Sequence, residues 1–157
     1  MQHEASWKMA ASATLHCLSG CAIGEVAGML IGTGLHWSNG ATTLLAVGLA
    51  FVSGYSLSTL PLTRRGMSFV SALKLVFAAD TLSIVVMEIV DNATMWVIPG
   101  AMNAHLDSPH FWLSMSLSMV AAFTVAWPVN YLLLRRGKGH ALTHHMHDSH
   151  DHPSDPS

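Results

Sequence analysis

Residues 15–32 read LHCLSGCAIGEVAGMLIG, and this stretch decides what kind of chain it belongs to. It is long and mostly apolar, yet it holds His16, Cys17, Cys21 and Glu25, with Met29 one turn further on. Glycine recurs every four residues, at Gly20, Gly24, Gly28 and Gly32. Positions four apart on a helix lie one above the other. Cys17, Cys21 and Glu25 therefore climb one side, and the glycines fall within the same arc. Glycine at this spacing lets a second membrane helix approach closely. The stretch predicts a membrane helix that presses two thiols and a carboxyl into a tight interface, and it offers the glycine face to a homo-oligomer. An ionisable group in such a place is costly and marks a functional candidate.

The composition around this stretch agrees. Of 157 residues, 51% are hydrophobic and only 10% charged, whereas soluble domains average about 25% charged. The length suits one bundle without a separate soluble domain. Two cysteines four apart on one helix do not make a disulfide framework. Leu18-Ser19-Gly20-Cys21 has the look of a bacterial lipoprotein cleavage site. Residues 9–17 make a poor apolar leader, however, and the chain stays apolar after Cys21, so the membrane-helix reading is preferred.

Four apolar segments follow from the punctuation, each long enough for the roughly 20 residues a bilayer core requires. The first covers residues 9–35 and ends at a short turn with Trp37 at interface depth. The second, residues 41–60, carries no charge and is expected to end at Pro61 and the Thr63-Arg64-Arg65-Gly66 stretch that follows. The third, residues 67–96, is broken by Pro99-Gly100, and a polar connection follows over residues 102–110. The fourth, residues 111–134, has Pro128 as a kink. This divides the chain into an N-terminal segment 1–8, a membrane domain 9–137 and a tail 138–157. Lys8, Arg64, Arg65, Arg135, Arg136 and Lys138 all fall at one end of such a bundle, while the two opposite connections hold no Lys or Arg. By the positive-inside rule both termini are expected in the cytoplasm.

Several groups of residues could carry chemistry. Thiolates suit soft ions such as Cu(I) or Zn(II), so Cys17 and Cys21, with His16, Glu25 and Met29, form a candidate metal site. His16 points about 100° away from Cys17 and is the weakest member. The third segment places Lys74, Asp80, Met87, Glu88, Asp91 and Met95 within an apolar run. The carboxyls fall in an arc of about 100° and suggest a path for a cation or a proton. Both helices start at the same end, so Cys17 should sit near the level of Lys74, and Glu25 near that of Asp80. Two carboxyls at one depth should share a proton or a cation. The plainer alternative is an ion-pair network that joins Lys74 to Glu25 or Asp80 and only holds the helices together. Ser114, Met115, Ser118 and Met119 read as ordinary bundle packing. Asn130 is expected to satisfy backbone groups freed by Pro128.

The tail gathers His140, His144, His145, His147, His150 and His152 among aspartates. Imidazole suits Zn, Cu and Ni, so the tail is expected to buffer metal weakly at several sites. No phosphate loop, GxSxG, HExxH or basic groove for nucleic acid occurs, so neither an enzyme nor a nucleic-acid partner is expected.

The strings HCLSGCAIGEVAGM at 16–29, LPLTRRGMS at 60–68, KLVFAADTLSIVVMEIVDN at 74–92, PGAM at 99–102 and PVNYLLLRRGKGH at 128–140 together resemble the bacterial and archaeal membrane family called domain of unknown function 4396. The resemblance implies a small multi-pass membrane protein and no particular activity.

The expectation is thus an all-α bundle of four transmembrane helices in a bacterial or archaeal plasma membrane, with lipid as its surroundings and a soft cation, copper preferred, as its ligand. A redox protein linked to haem or quinone is the first alternative. Paired-histidine haem ligation within a bundle is disfavoured, because His16 is the only histidine well inside a span, while His36, His105 and His110 lie near one interface. A structural or assembly subunit is the second.

Overall fold

The computed structural model describes residues 7–136, and the tail histidines lie outside them. Within those residues the chain is helical without strands. Helix α1 spans Trp7–Gly34, α2 Asn39–Arg64, α3 Phe69–Val97 and α4 Pro109–Arg135, with a short 3₁₀ turn at Ala101–Asn103. All four long helices are long and apolar enough to cross a membrane. Ser38, Ser68 and Ser108 cap the starts of α2, α3 and α4, each accepting a hydrogen bond from a backbone N–H three residues on. Such caps satisfy donors that the helix cannot satisfy itself. Short connections make the helices alternate in direction, so α1 and α3 run parallel and both rise from the end that carries Lys8 and Arg64.

The distribution of side chains is reversed relative to a soluble bundle. The buried face of α1 consists of Ala10, Thr14, Cys17, Gly20, Cys21, Gly24, Glu25, Gly28 and Gly32. Its large apolar residues, Leu15, Ile23, Leu30 and Ile31, point outward. The same holds at Leu44 and Trp96, which are 76% and 80% exposed. Water would penalise such a surface and lipid does not. Between membrane helices the gain comes from close van der Waals approach and polar contacts.

The glycine face of α1 packs against α2 of the same chain. A Cβ built on Gly24 would lie 2.3 Å from the Leu49 carbonyl oxygen, and one on Gly28 2.3 Å from the Ala46 Cα. Gly20 meets Gly54 and Gly32 meets Thr42 in the same way. The Ser53 hydroxyl donates across this contact to the Gly20 carbonyl. The face expected to pair with another copy is therefore already buried within the fold, and it is not available for a homo-oligomer.

Two expectations about proline are also corrected. Helix α2 continues through Pro61 to Arg64, and Asn130 does not repair the backbone at Pro128. Its side-chain amide instead donates to the Thr14 hydroxyl at 2.7 Å, tying α4 to α1. Thr14 in turn donates to the Ala10 carbonyl.

Candidate functional site: a buried acid cluster

Parallel α1 and α3 set the registry of the site. Glu25 lies 18 residues past Trp7, and Glu88 lies 19 past Phe69. The two therefore reach the same depth, where α1 faces α3 inside the bundle. Glu25 lies against Glu88, and Asp91 stands close to both. One turn below, Cys21 touches Cys17 on one side and Glu88 on the other. Both cysteines are free and buried. From α4, the Ser118 hydroxyl donates to Asp91. Cys17, Cys21, Glu88 and Glu25 thus form a polar column, and Asp91 with its partner Ser118 stands beside it, on the cavity that Glu25 also lines.

The column is nearly dry. Glu25 is 3% exposed, and Glu88 and Asp91 are 5% exposed. Glu25 Oε2 and both carboxyl oxygens of Glu88 make no hydrogen bond. Two carboxylates are acceptors only, so the Glu25–Glu88 contact becomes a hydrogen bond only with a proton between them. No described Lys, Arg or His enters the column. Buried charges without partners are strongly disfavoured, so positive charge has to be supplied as protons or as a bound cation.

Access is unequal at the two ends. A cavity of about 80 Å³ reaches Glu25 and Asp91 from the end where the α1–α2 turn and the α3–α4 connection lie. Met29, Asn39, Thr42, Met95 and Met102 line it. The Asn39 side-chain amide donates to Asn103 Oδ1 at 2.7 Å beside this cavity. Toward the opposite end the interior is filled by Cys17, Cys21, Ala50, Ile84, Met87, Ala122 and Ala126. Beyond them Trp7 stacks on Tyr131 and meets Trp127 edge-on.

The other expected site residues lie elsewhere. His16 does not join the thiols. It is exposed, and its Nε2 lies 3.1 Å from the Leu57 carbonyl oxygen. The reason is Pro61, which has no N–H to return to the carbonyl four residues before it. His16 donates to that orphaned carbonyl instead. Asp80 leaves the acid stripe as well, standing beside Ser58 and near His16. Lys74 is exposed and makes no ion pair with Glu25 or Asp80, so the expected structural network is absent there. Met87 is buried in the core, and Met29 and Met95 line the cavity. Among the described residues no three His, Cys, Asp or Glu side chains are gathered as a ready metal site. Replacing His16 by Ala should lower stability by about 1 kcal/mol, the net worth of one hydrogen bond. In a Pro61→Ala background, where an N–H serves Leu57, the same change should cost almost nothing. Thermal melts in detergent check this; equal losses in both backgrounds would refute the repair role.

The family model described as Domain of unknown function (DUF4396) matches residues 6–139. The chain belongs to this family. No curated protein and no solved structure gives a significant match. The DUF4396 match covers every helix and every residue of the acid column, so the column lies wholly inside the family domain.

Proposed function

We propose that this DUF4396 protein binds a cation within the bilayer, and passes it along the column formed by Glu25, Glu88, Asp91, Cys21 and Cys17. One observation carries the reading. Three carboxyls, all more than nine-tenths buried, lie within electrostatic range of one another, three of their oxygens make no hydrogen bond, and no described basic side chain stands among them. A bound cation supplies the missing charge. The paired thiols favour a soft ion, and copper is preferred. Cu(I) is satisfied by two sulfurs, so the Cys17–Cys21 pair suffices without a third ligand, whereas structural zinc wants four. The lysines and arginines at the closed end support a cytoplasmic placement of both termini. On that placement the cavity faces away from the cytoplasm, in the plasma membrane of a bacterium or archaeon.

A second reading is favoured by the Glu25–Glu88 contact itself, which a shared proton converts into a hydrogen bond. The same column would then carry protons alone.

The two are separated by elemental mass spectrometry on the full chain. The six tail histidines are changed to Asn so that they do not mask the interior. After anaerobic loading with Cu(I), about one copper per chain is expected, lost in Cys17→Ser/Cys21→Ser. No copper in either form would overturn the metal reading and leave the proton column.

A further inference from the structure

Five of the chain's ten methionines gather at the open end of the bundle. Met95 and Met115 are buried there, and Met29, Met102 and Met119 pack on them. Three of these, Met29, Met95 and Met102, come from three different elements and line the cavity that reaches Glu25 and Asp91. Their placement relative to the acids repeats. Met29 is one turn above Glu25 on α1, and Met95 is one turn above Asp91 on α3. Glu25 and Asp91, the two carboxyls on the cavity, thus each have a thioether one turn nearer that end of the bundle. Met102 adds a third from the 3₁₀ turn, which the Asn39–Asn103 hydrogen bond ties to the start of α2.

We infer that Met29, Met95 and Met102 form a capture site for a soft monovalent cation, Cu(I) or its analogue Ag(I), at the mouth of the acid column. Neutral thioethers are soft, polarizable donors. They add no charge, so they offer little to Na⁺, Mg²⁺ or Zn²⁺, which prefer oxygen or charged ligands. Three of them converging on one cavity hold an ion that tolerates few neutral sulfur ligands. The carboxyls below then supply the countercharge that draws the ion inward. Ordinary core packing accounts for buried Met115 but does not require thioethers at the lining of a cavity floored by carboxyls. The inference rests on the cation reading of that column, and it adds a second, weaker site that exchanges its ion freely, so that without the thiols no copper is retained once free ion is removed.

The test uses the full chain in detergent with ¹³C-methyl-labelled methionine, titrated with Ag(I) under anaerobic conditions. Single Met→Leu variants assign the signals; such near-isosteric changes cost little stability. In the Cys17→Ser/Cys21→Ser background, the methyls of Met29, Met95 and Met102 should shift together and saturate. Met67, on the α2–α3 connection at the other end, should stay still, and Met146 in the tail reports adventitious binding to the histidines. The triple Met→Leu variant should weaken this Ag(I) binding at least tenfold. Unmoved Met29, Met95 and Met102 methyls would overturn the capture site. If copper loading that depends on the thiols nevertheless persists, the column reading survives that failure. Equal shifts with Na⁺ would overturn the soft-ion selectivity.

Discussion

Gly24→Leu should leave no stably folded monomer in mild detergent. The Cβ that any residue other than glycine carries would sit 2.3 Å from the Leu49 carbonyl oxygen and 2.4 Å from the Ala50 nitrogen. Both are backbone atoms of α2, so no rotamer change relieves the contact and the helices have to separate. Even Gly24→Ala is expected to cost about 1–3 kcal/mol, as overpacked interiors do. Gly48 on α2 is the control, because nothing lies within 4 Å of a Cβ there. Gly48→Ala should be neutral, or stabilise by about 0.5–1 kcal/mol through the lower entropy cost of alanine in a helix. Size-exclusion profiles and thermal melts read both outcomes. A Gly24→Leu protein that melts as the parent does would refute the α1–α2 contact. One that keeps its melt but loses an oligomer would return the glycine face to a second copy.

Glu88→Met is expected to raise thermal stability while it weakens copper retention, because the ion held by the thiols loses a neighbouring countercharge. Neither Glu88 oxygen makes a hydrogen bond, and the side chain lies against Glu25 and Cys21. Removing this carboxyl forfeits at most the proton it can share with Glu25 and relieves its desolvation. Replacing buried ionic groups by apolar ones of similar volume often stabilises by about 1–4 kcal/mol. Helix α3 already carries Met87 and Met95 on its buried side, so a thioether suits the surroundings. A functional group held at a cost to the fold behaves in this way, because stability and activity draw on the same site. Melting in detergent, paired with copper content after Cu(I) loading, measures the two effects together. A marked loss of stability in Glu88→Met would show instead that the carboxyl is an architectural partner, and the column would lose its functional reading.

Much of the fold was legible in residues 15–32 and in the punctuation between the segments. Length and composition alone require helices here, since every backbone polar group in a bilayer must find its partner inside its own segment. Glycine every fourth residue requires a close helix neighbour. The carboxyls and thiols announced themselves by their cost in an apolar run. Helix ends were less clear, because Pro61 reads as a terminator in isolation. His16 repairs the carbonyl that this proline frees, and that repair comes from another helix, so no local pattern on α2 encodes it.

The partner of each polar residue was decided by tertiary structure. Depth counted from residues 9 and 67 puts Glu25 level with residue 83, between Asp80 and Glu88, whereas depth counted from the observed starts at Trp7 and Phe69 puts it beside Glu88. An error of two residues at each start, in opposite senses, shifts the register by about one turn, enough to turn a depth between two carboxyls into a match with one of them. The neighbour of the glycine face was equally open, because close approach is satisfied by any helix, from the same chain or from another copy. The gathering of Met29, Met95 and Met102 around one cavity involves α1, α3 and the 3₁₀ turn. Periodicity along a single helix states which residues share a face. Only the packing of the helices states what that face meets, because contacts between helices depend on rotation and depth that no one segment specifies.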